Sequence, residues 1–463
     1  MSTPMKRRAF FFACAGLPSA VLPLRRVAAA DRVVLGVIGF RSRGRSLLRG
    51  FMGMDGVEVA AVCDVDQTVL EAGAAEVEKA RGRRPAAFVD FRRILENRSI
   101  DAIVLGTPDH WHAIPTILAC QAGKHVYVEK PASHNIREGE RMIAAARKHR
   151  RIVLVGCQSR SGRHFAEAIE YIRSGALGRV ALARAWESAK QRPIGYPADA
   201  EAPSGVDYDL WLGPAPKRPF NPARFHGSWR WFFDYGTGDL GNDGVHRIDY
   251  ARRALAAAFE AEKRTLPDWP TAVAASGGKF VFDDAEEWPD TMVATWDYPG
   301  ATLVYEMRIW NGYPLEGESE GAAVYGTEGY VIIGNASWRA FGPKGEKLEV
   351  GTASSNAEHD VAHKRNFVDA IRGLAQPSLD IAQGHVTSSL CHMANTAWRV
   401  GRKLRFDPGA GRYVGDAEAD RPGRRHLEQQ AFNPQIPVQD LERQPEIEVL
   451  LAAKLHAGIA HPV

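Results

Sequence analysis

The chain has 463 residues, which at the usual domain size of about 100–200 residues predicts two or three domains. Its content of 45% hydrophobic and 25% charged residues is that of a globular protein with enough material for a sizeable core. Lys and Arg (59) nearly balance Asp and Glu (55), and no basic tract stands out, so composition argues against nucleic acid as the main partner.

The first thirty residues have the pattern of a targeting segment. A basic start, Lys6–Arg8, precedes a mostly apolar run from Ala9 to Leu24 and the small residues Ala28–Ala30. The Arg7-Arg8 pair resembles a twin-arginine export signal, which predicts an exported, periplasmic protein. The apolar run is too short and too interrupted by proline for an integral membrane span. A disordered basic amino terminus is the alternative interpretation.

A glycine-containing turn follows the first predicted strand. The strand is Val33–Ile38, and an amphipathic helix is predicted from Arg45. Gly39 and Gly44 fill the first and third glycine positions of the G-x-G-x-x-G motif. In that motif glycine lets the backbone approach a pyrophosphate that sits at a helix amino terminus. A simple β-turn-α loop is the alternative interpretation.

The second glycine position of the motif is occupied by Arg41, which is a departure from the pattern. A side chain there should crowd a pyrophosphate unless the loop is rearranged. Arg41 or Arg43, on either side of Ser42, is expected to pair with a phosphate instead.

An acidic residue follows the second predicted strand, Val57–Cys63. Asp64 lies twenty residues after Gly44, where an acid in a dinucleotide site accepts hydrogen bonds from the ribose hydroxyls. Because such an acid disfavours a 2′-phosphate, the sequence favours NAD over NADP. A helix-capping role for Asp64 is the alternative. A further short strand is predicted at Ala86–Asp90.

Residues 101–131 predict a strand, a helix and a second strand. Ile103–Gly106 and His125–Val128 are apolar runs of the buried parallel type, and Ile114–Ala122 has helical spacing. Polar residues follow both strands, at Thr107–His112 and at Glu129–Pro131.

Ligands of open α/β sheets bind beyond the carboxyl ends of the strands, so these two polar segments should converge and Lys130 should be functional. The alternative is a surface lysine before a turn proline. Arg151–Gly156 adds one more strand, and the βαβαβαβ order predicts a doubly wound parallel sheet over residues 31–157.

The pattern changes after about Ser159, where short runs alternate apolar and polar residues. Such alternation predicts an antiparallel sheet with one covered face. The predicted strands are Val180–Trp186, Thr271–Phe282, Thr291–Trp296, Ala301–Arg308, Ala322–Tyr325 and Tyr330–Ile333. Two aromatic-rich loops, 207–214 and 229–235, are expected either to pack a loop core or to form a sugar-stacking wall.

A second chemical centre is predicted on a helix from about Asn242 to Leu255. His246 lies four residues after Asn242 and three before Asp249, so the three side chains would share one helical face. A polar face beside apolar positions is typical of a helix that lines a site.

These motifs together resemble the glucose–fructose oxidoreductase/inositol dehydrogenase (Gfo/Idh/MocA) family over about residues 33–407. The segments that carry the resemblance are Gly39–Gly44, Cys63–Asp64, Thr107–Pro108 with His112, Gly123–Pro131, Gly156–Arg160, Gly175–Val180 and Gly241–Asp249. The family implies an NAD-binding Rossmann domain, then an α+β domain over residues 158–410 with a large open, mostly antiparallel sheet. It also implies a homo-oligomer and a carbohydrate substrate. Residues 411–463 would form a carboxyl-terminal extension.

The resemblance also assigns residues to the cofactor. These are Gly39, Arg41, Ser42, Arg43, Gly44, Asp64, Thr107, Pro108, His112, Glu129, Lys130 and Gln158. No metal-ligand spacing, internal repeat or nucleic-acid motif appears in the sequence.

The catalytic residues implied are Lys130 and His246, with one departure. The family pattern usually places an Asp four residues before this His, and here that position is Asn242. Asn cannot take up a proton, although it can orient a substrate hydroxyl or hold His246 by a hydrogen bond. Either His246 is the sole acid/base, or Asp249 or another carboxylate assists, or the chemistry has drifted.

The leading hypothesis is an NAD-dependent oxidoreductase that acts on a secondary hydroxyl of a sugar, polyol or glycoside. His246 would take the hydroxyl proton, and Lys130 would stabilise the developing alkoxide. The first alternative is a glycosidase or lyase that oxidises C3 transiently with NAD and then eliminates the substituent. The second is a non-catalytic sugar-binding protein with a vestigial site, suggested by Arg41 and Asn242.

Overall fold

A computed structural model describes residues Arg32–Asp420. The predicted export signal at residues 1–30, and the predicted extension beyond residue 420, lie outside the described residues. The first domain alternates strands with helices. Its strands are β1 (Val33–Ile38), β2 (Val57–Cys63), β3 (Ala86–Phe88), β4 (Ala102–Leu105), β5 (His125–Glu129) and β6 (Val153–Gly156). Its helices are α1 (Arg43–Met52), α2 (Gln67–Arg81), α3 (Arg92–Glu96), α4 (Ala113–Gln121) and α5 (Ile136–Lys148).

The six strands form one parallel sheet in the order β3-β2-β1-β4-β5-β6. This is the doubly wound order, and its topological switch point lies between β1 and β4. The predicted doubly wound sheet is thereby confirmed. Strand β5 extends to Glu129, so Lys130 is the first residue beyond its carboxyl end.

The second domain contains an eight-stranded sheet in the order β14-β13-β12-β11-β7-β10-β9-β8. Every neighbouring pair is antiparallel except β7 with β10, which confirms the predicted open, mostly antiparallel sheet. Its strands are β7 (Val180–Ser188), β8 (Ala272–Gly278), β9 (Thr291–Tyr298), β10 (Ala301–Arg308), β11 (Glu320–Gly326), β12 (Tyr330–Ile333), β13 (Trp338–Phe341) and β14 (Lys347–Val350). A two-stranded hairpin consists of β15 (Phe406–Asp407) and β16 (Arg412–Tyr413).

The helices of the second domain are α6 (Arg163–Arg173), α7 (Tyr208–Leu212), α8 (Val245–Ala261), α9 (Asn356–Ile371) and α10 (Ile381–Val400). The apolar face of the large sheet packs under α6, α8 and α10, and burial alternates strictly along β10. Leu303 and Tyr305 point into this core and are fully buried. The predicted strand at Thr271–Phe282 ends early, at Gly278. The carboxylate of Asp290 accepts hydrogen bonds from the backbone N–H groups of residues 280–282, which therefore do not pair with a neighbouring strand.

The last two helices join the two domains. Phe367 of α9 packs on Phe51 and Tyr127 of the first domain, with ring centroids 6.0 and 5.7 Å apart. Val155 of β6 donates its N–H to Leu379 just before α10. The first domain's core is therefore completed by residues from near the end of the described chain.

The boundary predicted between residues 410 and 411 falls inside the β15–β16 hairpin. Tyr413 of β16 is buried in the core of the second domain, so the first residues of the predicted extension belong to that domain's fold. Between Arg32 and Asp420, no helix combines the length and the apolar character that a membrane crossing requires.

The turn between β1 and α1 depends on the absence of a side chain at Gly44. A Cβ atom there would lie 2.0 Å from the carbonyl oxygen of Gly39. We expect Gly44→Ala to lower the free energy of unfolding by about 1–3 kcal/mol, because the turn must distort to admit a methyl group. Chemical denaturation measures this change.

Gly53→Ala is the matched control, since a Cβ at Gly53 would meet its nearest atom at 3.4 Å. Equal stability of the two variants would show that the turn is not closely packed.

Candidate active site

A cavity of about 400 Å³ lies between the carboxyl edge of the parallel sheet and the loops of the second domain. Its wall includes these residues predicted for the cofactor: Gly39, Arg41, Ser42, Arg43, Asp64, Thr107, Pro108, Glu129 and Lys130. The second domain contributes Trp211, His226, Trp229, Arg230 and Asn242. The predicted residues Gly44, His112, Gln158, His246 and Asp249 are not part of this wall.

The glycine turn presents a helix amino terminus to the cavity. Gly39 has φ +70°, which favours glycine, and Ser42 at the start of α1 has φ 48°. The Ser42 side chain makes no capping hydrogen bond, and the first turn of the ten-residue α1 contains no acid. The N–H groups of this turn and the helix dipole together suit a phosphate.

Of the two arginines predicted to pair with a phosphate, Arg43 already forms ion pairs within the protein. Its guanidinium lies 2.8 Å from Glu129 at the end of β5 and 2.8 Å from Asp360 of α9. Arg41 is 53% exposed at its side chain and lies 4.0 Å from Asp66, the distance of a weak ion pair. Arg41 is therefore the arginine that can turn to a pyrophosphate.

Asp64 lies at the end of β2 and is buried. Its carboxylate accepts backbone N–H groups from Phe40 and Asp66, each at 3.1 Å. The helix-capping role falls to Asp66 instead, whose side chain accepts from Thr68 at 2.9 Å. Burial raises the pKa of Asp64 to about 6, since the two N–H groups only partly offset the cost of desolvating the charge. Asp64 is thus placed to receive ribose hydroxyls.

His226 reaches from the second domain to the adenosine end of the predicted nucleotide site. Its Nε2 lies 2.8 Å from the Asp66 carboxylate. The backbone N–H of Asp207, also from the second domain, donates to Val65 next to it. These contacts hold second-domain loops over the end of β2.

A buried hydroxyl without a partner marks the middle of the cavity. Thr107 Oγ1 is buried and makes no hydrogen bond within the described chain, which suits a polar ligand beside it. Together with the helix terminus and Asp64, this orphan hydroxyl fits a bound dinucleotide.

His112 and Gln158 act on this site indirectly. The two ring nitrogens of His112 face the carbonyl oxygens of Pro131 and Thr107, at 2.7 and 3.0 Å. His112 therefore braces the two loops that carry the site rather than contacting a ligand. Gln158 lies 3.4 Å from the Arg43 guanidinium and supports that side chain. Protein groups occupy both residues in this structure, and their predicted contact with the cofactor stays a prediction.

Lys130 and Asn242 meet at the wall where the two domains join. Lys130 Nζ donates to the backbone oxygen of Asn242 at 2.6 Å and to its side-chain Oδ1 at 3.0 Å. These bonds use two of the three ammonium hydrogens, which leaves one to donate into the cavity that Lys130 lines. The lysine is a site residue rather than a surface lysine before a turn.

His246 is buried behind this wall. Its Nδ1 lies 3.2 Å from Cys157 Sγ, and burial together with the charges of Lys130 and Arg247 lowers its pKa well below the usual value. The imidazole is therefore neutral at neutral pH. The helical face that Asn242 and His246 were predicted to share is altered. Leu240–Gly244 form a π-helical turn before α8, where the four-residue α-helical repeat does not hold.

Asp249 is engaged by another residue. Arg160 donates to both of its oxygens, at 2.8 and 2.6 Å, and Thr387 donates to one of them at 3.0 Å. Asp249 therefore neutralises a buried arginine. Its assistance to proton transfer stays a prediction.

The aromatic residues of the two predicted loops divide between a packed core and the cavity wall. Trp211 packs against Tyr235 and against Phe225, which lies outside the two predicted loops, with ring centroids 4.9 and 5.3 Å away. Trp229 stays partly exposed in the cavity wall, with the Arg230 guanidinium 5.4 Å from its ring. An aromatic face beside a cation suits the apolar face of a sugar.

Sequence reasoning missed a group of carboxylates next to Asn242. Glu187, Asp239 and Asp243 bring oxygens within 4.8 Å of one another, and Asn242 Nδ2 donates to Asp239 Oδ1 at 3.2 Å. Asp239 lies only three residues before Asn242, so its proximity was available from the motif. Glu187 comes from β7, over fifty residues earlier, and no pattern pointed to it.

Nucleotide binding should depend on the charge of Asp64. Its carboxyl is protonated below its pKa of about 6 and is a carboxylate, a stronger acceptor for ribose hydroxyls, above it. We expect the affinity for NAD to rise by about three- to tenfold as pH increases through 6 and then to level off. Isothermal titration calorimetry at several pH values measures this rise. In Asp64→Asn the affinity should be lower and should not change across this range; an unchanged pH dependence would exclude Asp64.

The assignment of Asp249 predicts a loss of stability. Asp249→Asn leaves the buried Arg160 without its counter-charge, and removal of one partner from a buried pair costs about 3–5 kcal/mol. The pair of Arg252 with Asp268, whose carboxylate is 69% exposed, is the control, where Asp268→Asn should cost about 0–1 kcal/mol. If the two variants were equally stable and turnover were lost only in Asp249→Asn, Asp249 would instead have a catalytic role.

Solved structures of sugar enzymes share this fold. The aldose-aldose oxidoreductase from Caulobacter crescentus, solved with glycerol, is 21% identical with a TM-score of 0.61, over 81% of this chain and 100% of that chain. The WlbA dehydrogenase from Bordetella pertussis, solved with NADH and UDP-GlcNAcA, is 21% identical with a TM-score of 0.59, over 81% and 99%.

Curated relatives match over a shorter stretch. A glycosyl hydrolase family 109 protein from Shewanella putrefaciens is 29% identical over 154 residues, which are 32% of this chain and 34% of that protein. An alpha-N-acetylgalactosaminidase from Shewanella oneidensis is 28% identical over 152 residues, 32% of this chain and 33% of that protein. The match thus spans about a third of the length of these relatives.

Two models of one family match the chain in sequence. The model described as an oxidoreductase family with an NAD-binding Rossmann fold matches residues 33–157. The model of that family's carboxyl-terminal alpha/beta domain matches residues 194–261 and 348–430. Together they cover more than half of the chain. The chain belongs to the Gfo/Idh/MocA oxidoreductase family, and its first domain is an NAD-binding Rossmann domain.

Proposed function

We propose that the protein is an NAD-dependent oxidoreductase that acts on a secondary hydroxyl of a carbohydrate. The observation that carries the proposal is the Lys130–Asn242 contact, which places one free ammonium hydrogen in the wall of the cavity at the edge of the NAD-binding domain. Trp229 and Arg230 in the same wall suit a sugar. The named sugar enzymes among the relatives support the same substrate class.

Lys130 supplies the electrostatic part of the reaction. When NAD is held by the Rossmann turn and Asp64, it would supply the acceptor for a hydride from the carbon that carries the hydroxyl. The hydroxyl oxygen gains negative charge as its proton leaves, and the Lys130 ammonium stabilises that charge by a hydrogen bond in a site with little water. Asn242 holds the ammonium in place and does not exchange a proton itself.

His246 is the base in this proposal. Because its pKa is lowered, the imidazole is neutral and has a lone pair at neutral pH. When Nδ1 donates to Cys157 Sγ, Nε2 is the nitrogen that accepts the hydroxyl proton. Because His246 lies behind the cavity wall, the proton reaches it through a water. The buried position of His246 favours its return to the neutral form once the proton can leave.

The relatives' names favour a second candidate function. A glycosidase that uses NAD transiently would oxidise a ring carbon, eliminate the glycosidic substituent and then reduce the ring, with no net change of the cofactor. The glycosyl hydrolase family 109 proteins match this chain mainly over a third of their length, so they support this reaction less directly than the site supports oxidation.

Export and assembly are proposals as well. The basic and apolar pattern of residues 6–30 supports export by the twin-arginine route, and a protein outside the cytoplasm would need a retained NAD. Leu182 and Val293 are exposed on strands of the large sheet, which supports a homo-oligomer through that sheet.

Lys130→Met and His246→Ala should abolish turnover and leave NAD bound. Each removes a group that acts on the substrate hydroxyl while the Rossmann turn and Asp64 stay intact. Turnover on a panel of sugars and glycosides, with NAD content measured by mass spectrometry, checks this expectation. The exposed Lys148→Met, on α5, is the control and should behave as wild type.

Product analysis without added NAD separates the two candidate functions. Net oxidation stops after one turnover of bound cofactor, whereas glycoside cleavage continues. Unchanged activity in both site variants would contradict the assignment of Lys130 and His246. A protein that binds no NAD and gains no stability from it would instead be a vestigial sugar-binding protein.

A further inference from the structure

We propose that Asp239 is a positioning residue for Lys130 and acts through Asn242. Its carboxylate holds the Asn242 amide in the orientation that presents an oxygen to the Lys130 ammonium. The inference rests on the proposed function, since it takes Lys130 as the group that meets the substrate oxygen. It adds a residue to the site and explains why Asn242 can stand where the family pattern has an Asp.

The orientation of the Asn242 amide follows from its two neighbours. Its nitrogen donates to Asp239 Oδ1 at 3.2 Å, and its oxygen accepts from Lys130 Nζ at 3.0 Å. A flipped amide would set its NH₂ group against the ammonium and its oxygen against the carboxylate, and both contacts would be repulsive. An anion on one side and a cation on the other therefore allow one arrangement only.

The same geometry makes Asn the suitable residue at position 242. A carboxylate there would face the Asp239 carboxylate at hydrogen-bond distance, and two like charges this close cannot both ionise at low cost. An amide can donate to Asp239 and accept from Lys130 at once. In this chain the negative charge stands three residues earlier, at Asp239, and the amide transmits its effect.

The other oxygen of Asp239 faces a second acid. Asp239 and Glu187 are 1% and 3% exposed, and Asp239 Oδ2 and Glu187 Oε2 make no hydrogen bond within the described chain. Two buried carboxyl groups in such a cluster bind a proton between them. Burial and the charge of Asp243 raise the pKa of Asp239 to about 7, and the pKa of Glu187 is raised well above its usual value.

Charged and titratable groups surround the pair on every side. They are Asp243 on the same turn, Arg230 and Glu286 from loops, Arg247 on α8, Tyr305 on β10 and Glu320 on β11. A proton between Asp239 and Glu187 leaves Asp239 Oδ1 as an acceptor, so the contact with Asn242 persists on either side of pH 7.

Four variants test the proposal, all in the full-length protein with NAD. Asp239→Ala removes the acceptor and leaves the amide of Asn242 free to turn, so we expect kcat to fall about 10- to 100-fold with little change in KM. Asp239→Asn can still accept from Asn242 while it donates to Glu187, so it should restore most of the turnover lost in Asp239→Ala.

The remaining two variants exchange the side chains. Asn242→Asp alone sets two carboxyl groups against each other and should lose turnover, with a pH optimum shifted to lower pH. The double variant Asp239→Asn with Asn242→Asp keeps one amide and one carboxylate and should recover most of that loss. NAD binding by calorimetry, retained in all four variants, shows that each variant folds.

Two results would overturn the proposal: an Asp239→Ala variant with the kcat of wild type, or a double variant no more active than Asn242→Asp. Binding of Mg²⁺, Mn²⁺ or Ca²⁺ to wild type that is lost in Asp239→Ala would also overturn it, because a metal ion would then occupy Asp239.

If wild type transfers no hydride at all, the proposed function fails by itself. Wild type, Asp239→Asn, Asn242→Asp and the double variant then form a double-mutant cycle in unfolding free energy, where no coupling between positions 239 and 242 overturns the proposal.

Discussion

The site depends on one ammonium group held between two domains. Lys130 is the first residue after β5 of the Rossmann sheet. Both oxygens that accept hydrogen bonds from its ammonium group belong to Asn242 of the second domain. A single residue thereby fixes the position of the lysine from across the domain interface. Because the cavity lies at this interface, a change in how the domains pack would move the ammonium relative to any bound substrate.

A second set of charged residues stabilises the carboxyl end of β5, next to Lys130. Arg43, at the start of α1, pairs with Glu129 next to Lys130 and with Asp360 on α9. The glycine turn, the end of β5 and a helix from near the end of the described chain thus meet in one ion-pair network. Glu129 is buried, and its charge is compensated by Arg43 rather than by Lys130, which leaves the lysine available to a ligand.

The local part of this arrangement was predictable from sequence. Strands β1 and β2 begin and end where their apolar runs do, and Gly39 marks the turn, because a buried parallel strand is a continuous apolar run bounded by residues that break it. The parallel order and the convergence of Lys130 with the segment of Asn242 followed from the strand order and the family motifs.

The tertiary partners were not predictable. Helical spacing placed Asp249 with His246, but Arg160 lies 89 residues before Asp249 and captures its carboxylate in the folded chain. The π-helical turn at Leu240–Gly244 changes the helical face on which Asn242 lies. One extra residue in a helical turn leaves no signal in the periodicity of the sequence. Arg41 and Arg43 looked equivalent, yet the partners that separate them, Glu129 and Asp360, come from distant segments.

We propose that a hydride moves from a carbohydrate carbon to NAD beside Lys130 and Asn242. The most direct measurement uses a sugar or glycoside substrate deuterated at its secondary carbons, with mass spectrometry of the nicotinamide recovered after a single turnover. Deuterium is expected on the nicotinamide ring from one labelled position. Substrate conversion with no deuterium on the nicotinamide would contradict hydride transfer to NAD.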